Sequence, residues 1–272
     1  MFWKRALSAV VLIPALILII YSNTLFYSIL IVCAVALMLI EFSRLSQLLK
    51  GKSRPTTLLI SGLVFCLSAQ LPFPIELAFA FALFVAFLDG IFRGQDDDAF
   101  LSIANTFTGS VYVGWAFGYH LLLLRQTGDA LDYRVGANLI VFLLTIVWCG
   151  DIAAYLVGSR FGKHKLKPKT SPNKTIEGAI SGLIFGVFAG LVLWFFLLQG
   201  TIDIVNAFVI GVVLGVISQL SDLGESTIKR TAKVKDSGNI VPGHGGLLDR
   251  CDGLILSTPV LYYYFEYLAS AT

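Results

Sequence analysis

IEGAISGLIFGVFAGLVLWFFLL, residues 176–198, carries one charged side chain, Glu177, at its second position. A helix rises 1.5 Å per residue, so about 20 apolar residues match the ~30 Å hydrocarbon core of a bilayer. The run is apolar on every face and keeps no polar stripe for water. It reads as a membrane-spanning helix. Eight more runs of this kind accompany it, at about 6–22, 25–43, 57–73, 74–92, 103–124, 136–158, 203–223 and 252–269. The third and fourth meet at Leu71-Pro72-Phe73-Pro74, where proline ends one helix and opens the next. Composition agrees, since 57% of the 272 residues are hydrophobic and 14% charged, against about 25% charged in soluble domains. A water-soluble globule is excluded, and no alternating strand pattern points to a barrel. The expectation is an all-α integral membrane protein with about nine transmembrane helices.

Lys4-Arg5 ahead of the first run resembles a secretory signal, but no small-residue cleavage site follows Ile20 and apolar runs continue at once. The segment therefore reads as the first span. Cys33, Cys66, Cys149 and Cys251 lack the close spacing of a metal or redox motif, and no disulfide framework is expected. A net charge of +3 says little, whereas its placement says more. With a cytoplasmic N-terminus and nine crossings, only Arg125 and Arg134 of the 20 basic residues fall on the far side, as the positive-inside rule requires. The C-terminus is then expected on the far side of a bacterial-type inner membrane. Residues 1–135 form an N-terminal region of about five spans. Residues 136–272 form a catalytic region of about four spans with two cytoplasmic loops, 159–175 and 225–251.

Those two loops hold the chemistry. Asp222, Glu225 or Ser226, and Lys229 recur at helical spacing and share one face. Asp222 and Asp249 sit at two membrane-entry points on one side. Such a carboxylate pair offers hard oxygen ligands for Mg²⁺, with nucleotide phosphates completing the shell. Lys229, Arg230, Lys235 and Arg250 can neutralise phosphate charge. The glycines of Pro242-Gly243-His244-Gly245-Gly246 let backbone N–H groups approach an anion, and His244 can bond a phosphate oxygen. In the first loop Asp151 lies inside an apolar helix, where a carboxylate costs about 2.5–3.5 kcal/mol and so usually faces a working cavity. Thr175 or Asn173 can cap the following helix, with Glu177 in its first turn and Lys174 alongside. That helix start can also receive an anion.

The run Ser226-Thr-Ile-Lys229-Arg230, then Lys235-Asp236, Pro242-Gly-His244-Gly245-Gly246 and Asp249-Arg250-Cys-Asp252, closely resembles the signature of the phosphatidate cytidylyltransferase (CDP-diacylglycerol synthase) family. Asp151, Tyr155, Gly158 and Ser171-Pro172-Asn173-Lys174-Thr175-Ile176-Glu177-Gly178 also look like that family, as does Asp222-Leu-Gly-Glu225-Ser226. The likeness covers the C-terminal half in detail and the N-terminal half only as hydrophobic spans. Cys251 departs from it where an aliphatic residue is commoner. The resemblance implies that phosphatidate attacks the α-phosphorus of CTP, giving CDP-diacylglycerol and pyrophosphate. It implies Asp222, Lys229, Arg230, His244, Asp249 and Arg250 as catalytic. Substrate contacts would come from Asp151, Ser171, Asn173, Lys174, Thr175, Glu177, Glu225, Ser226, Lys235, Asp236, Gly245, Gly246 and Asp252. Also implied are Mg²⁺ on Asp222 and Asp249, a monovalent cation such as K⁺ near it, membrane lipids as surroundings, and a homodimer with no nucleic-acid partner.

Two other classes were weighed against this. An ion-coupled transporter would use intramembrane acids such as Asp151 and Asp222, but the polar residues gather at one face instead of lining a path through the bilayer. A CTP-dependent polyprenol kinase would release CDP instead of pyrophosphate. The Asp-Gly…Ala-Arg pattern of a CDP-alcohol phosphotransferase is missing, and so is a Walker-type phosphate loop.

Overall fold

The computed structural model describes residues 13–49, 51–92, 98–127, 134–238 and 245–267. Residues 13–20 are helical. There follow α1 (Thr24–Gln47), α2 (Pro55–Gln70), α3 (Ile75–Ile91), α4 (Ala99–Gln126) and α5 (Arg134–Phe161). A hairpin of β1 (Lys165–Lys167) and β2 (Ser171–Thr175) leads to α6 (Ile176–Leu197), α7 (Ile204–Thr231), α8 (Leu248–Ile255) and α9 (Ser257–Tyr267). Among the described residues, five helices are long and apolar enough to cross a membrane: α1, α4, α5, α6 and α7. The protein is all-α apart from that hairpin, and its helices make it a multi-pass membrane protein.

Several boundaries differ from the sequence expectation. The runs at 57–73 and 74–92 are helices of 16 and 17 residues, shorter than a full crossing. Their ends follow proline chemistry: Leu71 closes α2, and Pro74 precedes α3. The run at 252–269 is broken at Leu256 into α8 and α9. The polar segment read as a loop from residue 225 is helical as far as Thr231, so Asp222, Glu225, Ser226 and Lys229 all lie on α7. The first loop is a hairpin because Pro168 helps turn the chain between Lys167 and Thr170, bringing Lys165 opposite Thr175 in antiparallel register.

The chain divides into two compact units, one of Met1–Leu123 with Ile228–Cys251 and one of Leu124–Thr227 with Asp252–Thr272. In the first unit, Val35, Met38, Leu39 and Phe42 of α1, Leu58 and Phe65 of α2, and Val113 and Phe117 of α4 are buried. Residues Ser110–Tyr119 of α4 are wound as a π-helix, a widened form frequent where a helix carries local strain or function. Gly114 there lies so close to the Gly62 backbone of α2 that a side chain would meet its carbonyl. The Ser61 and Ser110 hydroxyls bond at 2.5 Å beside this contact. At the other end of α2, Arg54 pairs at 3.5 Å with the fully buried Asp89 of α3.

In the second unit α5 and α6 cross at close range. A Cβ on Gly182 would lie 2.9 Å from the Gly150 carbonyl, and one on Gly186 would lie 2.8 Å from the Ile146 carbonyl. Small residues let helix backbones approach where lipid offers no hydrophobic drive to association. Gln219 of α7 donates to the Ala179 carbonyl of α6 at 3.0 Å, and Trp194 closes the α6–α7 turn on Ile202 at 2.8 Å. The outer side of α6 leaves Ile180, Ile184, Phe188 and Phe195 more than half exposed. In a bilayer that surface faces acyl chains, and it needs no partner.

Overpacking a tight contact costs about 1–3 kcal/mol. Gly182→Leu is therefore expected to lower the melting temperature in detergent by several degrees. Gly200→Leu, at a site with nothing within 4 Å, is expected to leave it unchanged.

Candidate active site

In the second unit, the segment between α5 and α6 presents its polar residues at the mouth of two apolar helices. Of the two capping candidates Thr175 and Asn173, Thr175 is the N-cap of α6, its hydroxyl accepting the Gly178 N–H at 3.1 Å. Glu177, in the first turn, reaches back to His164. Its carboxylate accepts the His164 N–H at 3.2 Å and meets the imidazole Nδ1 at 2.7 Å. His164 is thereby the partner that ties the hairpin to α6. Gly158 and Gly162 of the α5 end pack against the Thr175 side chain, which holds β2 over the helix end. Ser171 is partly exposed and Asn173 fully so.

Lys174 emerges from β2 and forms an ion pair with Asp222 Oδ2 of α7. The Ser226 hydroxyl donates to Asp222 Oδ1 at 3.4 Å, one turn along the same helix. Asp151 on α5 lies within electrostatic range of both Asp222 and Lys174. Asp252 is in range of Asp222, Glu225 and Asp151. Ser221 fixes that arrangement by donating to the Asp252 carbonyl while accepting the Leu256 N–H at 3.3 Å. Lys174 thus faces Asp222 and Asp151, and Asp252 is within range of both acids. Glu225 is fully buried.

In the first unit, Lys229 Nζ donates to Asp249 Oδ1 at 2.6 Å, with the two side chains only 10% and 7% exposed. Asp249 Oδ2 accepts the N–H groups of Ser237 and Gly246 and the Ser237 hydroxyl, each at 2.9 Å. Burial raises the Asp249 carboxyl, but the lysine and the two amides outweigh it and hold the group below the ordinary carboxylate value. Gly245 has φ +84°, a left-handed conformation that favours glycine, and a Cβ there would press on Asp249 Oδ2 at 3.1 Å. Arg230 turns back to the Val234 carbonyl at 2.9 Å and finishes the C-terminus of α7. Lys235, Asp236 and Arg250 are exposed. His244 lies outside the described residues. Ser237, which sequence reading did not select, organises Asp249; its only signal was its place between Asp236 and a glycine.

The chemistry of the donors can be tested against a divalent ion. Asp222 offers a carboxylate 24% exposed near other acids, with Lys174 as its counter-charge, and its hard oxygens suit such an ion. Asp249 already takes four donors, so a metal at Oδ1 competes directly with Lys229. Among the described residues no three His, Cys, Asp or Glu side chains form a ready-made metal cluster. Mg²⁺ commonly takes only one or two carboxylates and fills its shell with phosphate and water.

Helices long and apolar enough to cross a bilayer, with carboxylate–ammonium pairs near their ends, define a multi-pass membrane protein. The chain belongs to the Cytidylyltransferase family, whose model matches residues 3–268. It is 40% identical over 163 residues to a phosphatidate cytidylyltransferase of Staphylococcus haemolyticus, covering 60% of this chain and 59% of that protein. The phosphatidate cytidylyltransferase of Bacillus subtilis is 36% identical over 170 residues, covering 59% and 61%. That of Brucella suis is 41% identical over 159 residues, covering 57% and 55%. The chain thus spans about three fifths of the length of the relatives it matches.

Removing one member of a buried pair strands the other charge and costs about 3–5 kcal/mol, far more than replacing both. Lys229→Met and Asp249→Asn are each expected to lower the melting temperature in detergent. The double variant is expected to melt above the sum of the two losses. The Asp249 contribution is complete above the ordinary carboxylate range and lost as pH falls through the lowered value, so acid should narrow the gap between wild type and Asp249→Asn.

Proposed function

We propose that the protein is a phosphatidate cytidylyltransferase, joining CTP and phosphatidate to CDP-diacylglycerol and pyrophosphate. A phosphatidate oxygen attacks the α-phosphorus of CTP. The bond from that phosphorus to the β-phosphate oxygen breaks, and pyrophosphate leaves with the electron pair. The nucleophile is ionised near pH 7, so the protein needs no strong base. Its work is to position two anions and neutralise developing charge.

The observation that carries this reading is the folding of the family signature. Its residues are sorted into carboxylate–ammonium pairs at the ends of apolar helices, Lys174 with Asp222 and Lys229 with Asp249. Each pair holds a cation ready for phosphate and an acid that keeps it oriented while the site is empty. Arg230, Lys235 and Arg250 add exposed positive charge beside them. Ser171, Asn173, Thr175 and Ser226 supply neutral donors. Asp222 and Asp249 are each assigned as Mg²⁺ ligands, as the family resemblance implies. When bound, the ion would offset phosphate charge and orient the nucleotide. A monovalent cation such as K⁺ is assigned to the neighbouring acids of α7 and α8. The enzyme is placed in the inner membrane as a homodimer with nine crossings, N-terminus inside and C-terminus outside. The one-sided distribution of Lys and Arg supports that topology.

Purified protein given labelled CTP, phosphatidate micelles and Mg²⁺ should yield CDP-diacylglycerol and pyrophosphate in equal amounts. Release of CDP would identify a kinase and overturn the reading. Asp222→Asn should lower turnover by about 10²–10³-fold without loss of membrane insertion. Chelation of divalent ions should abolish activity reversibly. Impermeant thiol labelling of single cysteines at 173 and 235 should place both on the cytoplasmic side. Labelling from opposite sides would leave no shared site.

A further inference from the structure

Glu41 lies near the C-terminal end of α1, in the apolar run Leu39-Ile40-Glu41-Phe42, and is completely buried. A carboxylate there survives only if its surroundings supply hydrogen bonds. They come from a segment about 200 residues further along the chain. Glu41 Oε2 accepts the Leu248 N–H at 2.7 Å, and Oε1 accepts the Leu247 N–H at 3.0 Å. These are amides at the start of α8, which no turn of the helix can satisfy. The Ser237 hydroxyl stands 3.3 Å from Glu41 Oε2 and 2.9 Å from Asp249 Oδ2. It has one proton and is shared between the two carboxylates. All these residues belong to the first unit.

The same carboxylate explains two glycines. A Cβ on Gly238 would lie 2.6 Å from Glu41 Oε1, and one on Gly246 would lie 2.7 Å from Oε2. Gly238 and Gly246 therefore leave room for an anion that the protein itself provides. The amide of Gly246 goes to Asp249 and those of Leu247 and Leu248 go to Glu41. The turn's neighbouring N–H groups are spoken for before any substrate arrives.

We propose that Glu41 is a positioning residue: it anchors Ser237–Gly238 and Gly245–Asp249, and through Ser237 and the α8 N-terminus it sets Asp249, which in turn aims Lys229. This rests on the proposed reaction for its catalytic consequence, but the anchoring itself does not. Glu41→Gln keeps the shape and replaces one acceptor oxygen with an NH₂ group facing a backbone N–H. Glu41→Asp keeps the carboxylate on a shorter stem.

The test combines backbone hydrogen exchange in detergent micelles with turnover per folded molecule. In Glu41→Gln, amides of the 237–249 segment should exchange faster while those of α5 and α6 stay unchanged. Turnover should fall by about 10²-fold, the scale expected when a charged group is misplaced by about 1 Å, with the CTP KM changed much less. Glu41→Asp should recover protection and turnover together, in part. The proposal is overturned if Glu41→Gln leaves exchange in 237–249 unchanged. It is equally overturned if exchange rises there and turnover stays within twofold of wild type, or if the loss merely equals the fraction of unfolded protein. A wild-type chain that shows the protection but makes no CDP-diacylglycerol sinks the proposed reaction alone.

Discussion

Charge that is withdrawn from water must meet its opposite, and this constraint organises the polar parts of the protein. Lys229 and Asp249 are both nearly inaccessible, and neither would be tolerated without the other. The pair in turn dictates the chain around it. Asp249 collects the amides of Ser237 and Gly246, so those two positions are drawn together on one carboxylate. Gly245 takes a left-handed turn to permit this. The second unit obeys the same rule with Lys174 and Asp222, set among Asp151, Glu225 and Asp252.

These arrangements give the charged side chains defined positions. Lys174 and Lys229 are each held by a carboxylate, so neither is a loose side chain. Side-chain immobilisation costs about 0.5–1.5 kcal/mol per long residue on binding, and a preset partner removes much of that. The scaffold contributes by rigidity. The close crossing of α5 and α6 at Gly150, Gly182 and Gly186 holds the hairpin that carries Lys174, and the Thr175 cap with the Glu177–His164 pair fixes where that hairpin begins and ends.

The apolar periods were legible because membrane helices declare themselves by length and lack of charge. α1, α5 and α6 fall close to the runs read from sequence, and Thr175 stands at the cap position. Helical spacing from Asp222 to Lys229 is realised on α7. Other features were misread for physical reasons. Short apolar runs do not reveal whether they complete a crossing, so α2 and α3 came out shorter than a bilayer requires. Charge density argued for a loop after residue 225, although helix propensity and the preceding spans carried α7 on to Thr231. A basic, proline-containing stretch concealed the β-hairpin, whose pairing is local but has no hydrophobic alternation to announce it.

Family membership and the residue types suited to phosphate chemistry were written in the order of amino acids, because motif spacing survives without knowledge of contacts. What the spacing could not convey was partnership. Nothing in the chain from 222 to 252 points to Lys174 as the mate of Asp222, or to an acid at position 41 as the anchor of a turn near 246. Such pairs join segments far apart in sequence, and only packing decides which donor reaches which acceptor. The glycines illustrate the difference: their presence was visible from the letters, but that Gly238 and Gly246 make room for a buried carboxylate is a property of the folded chain alone.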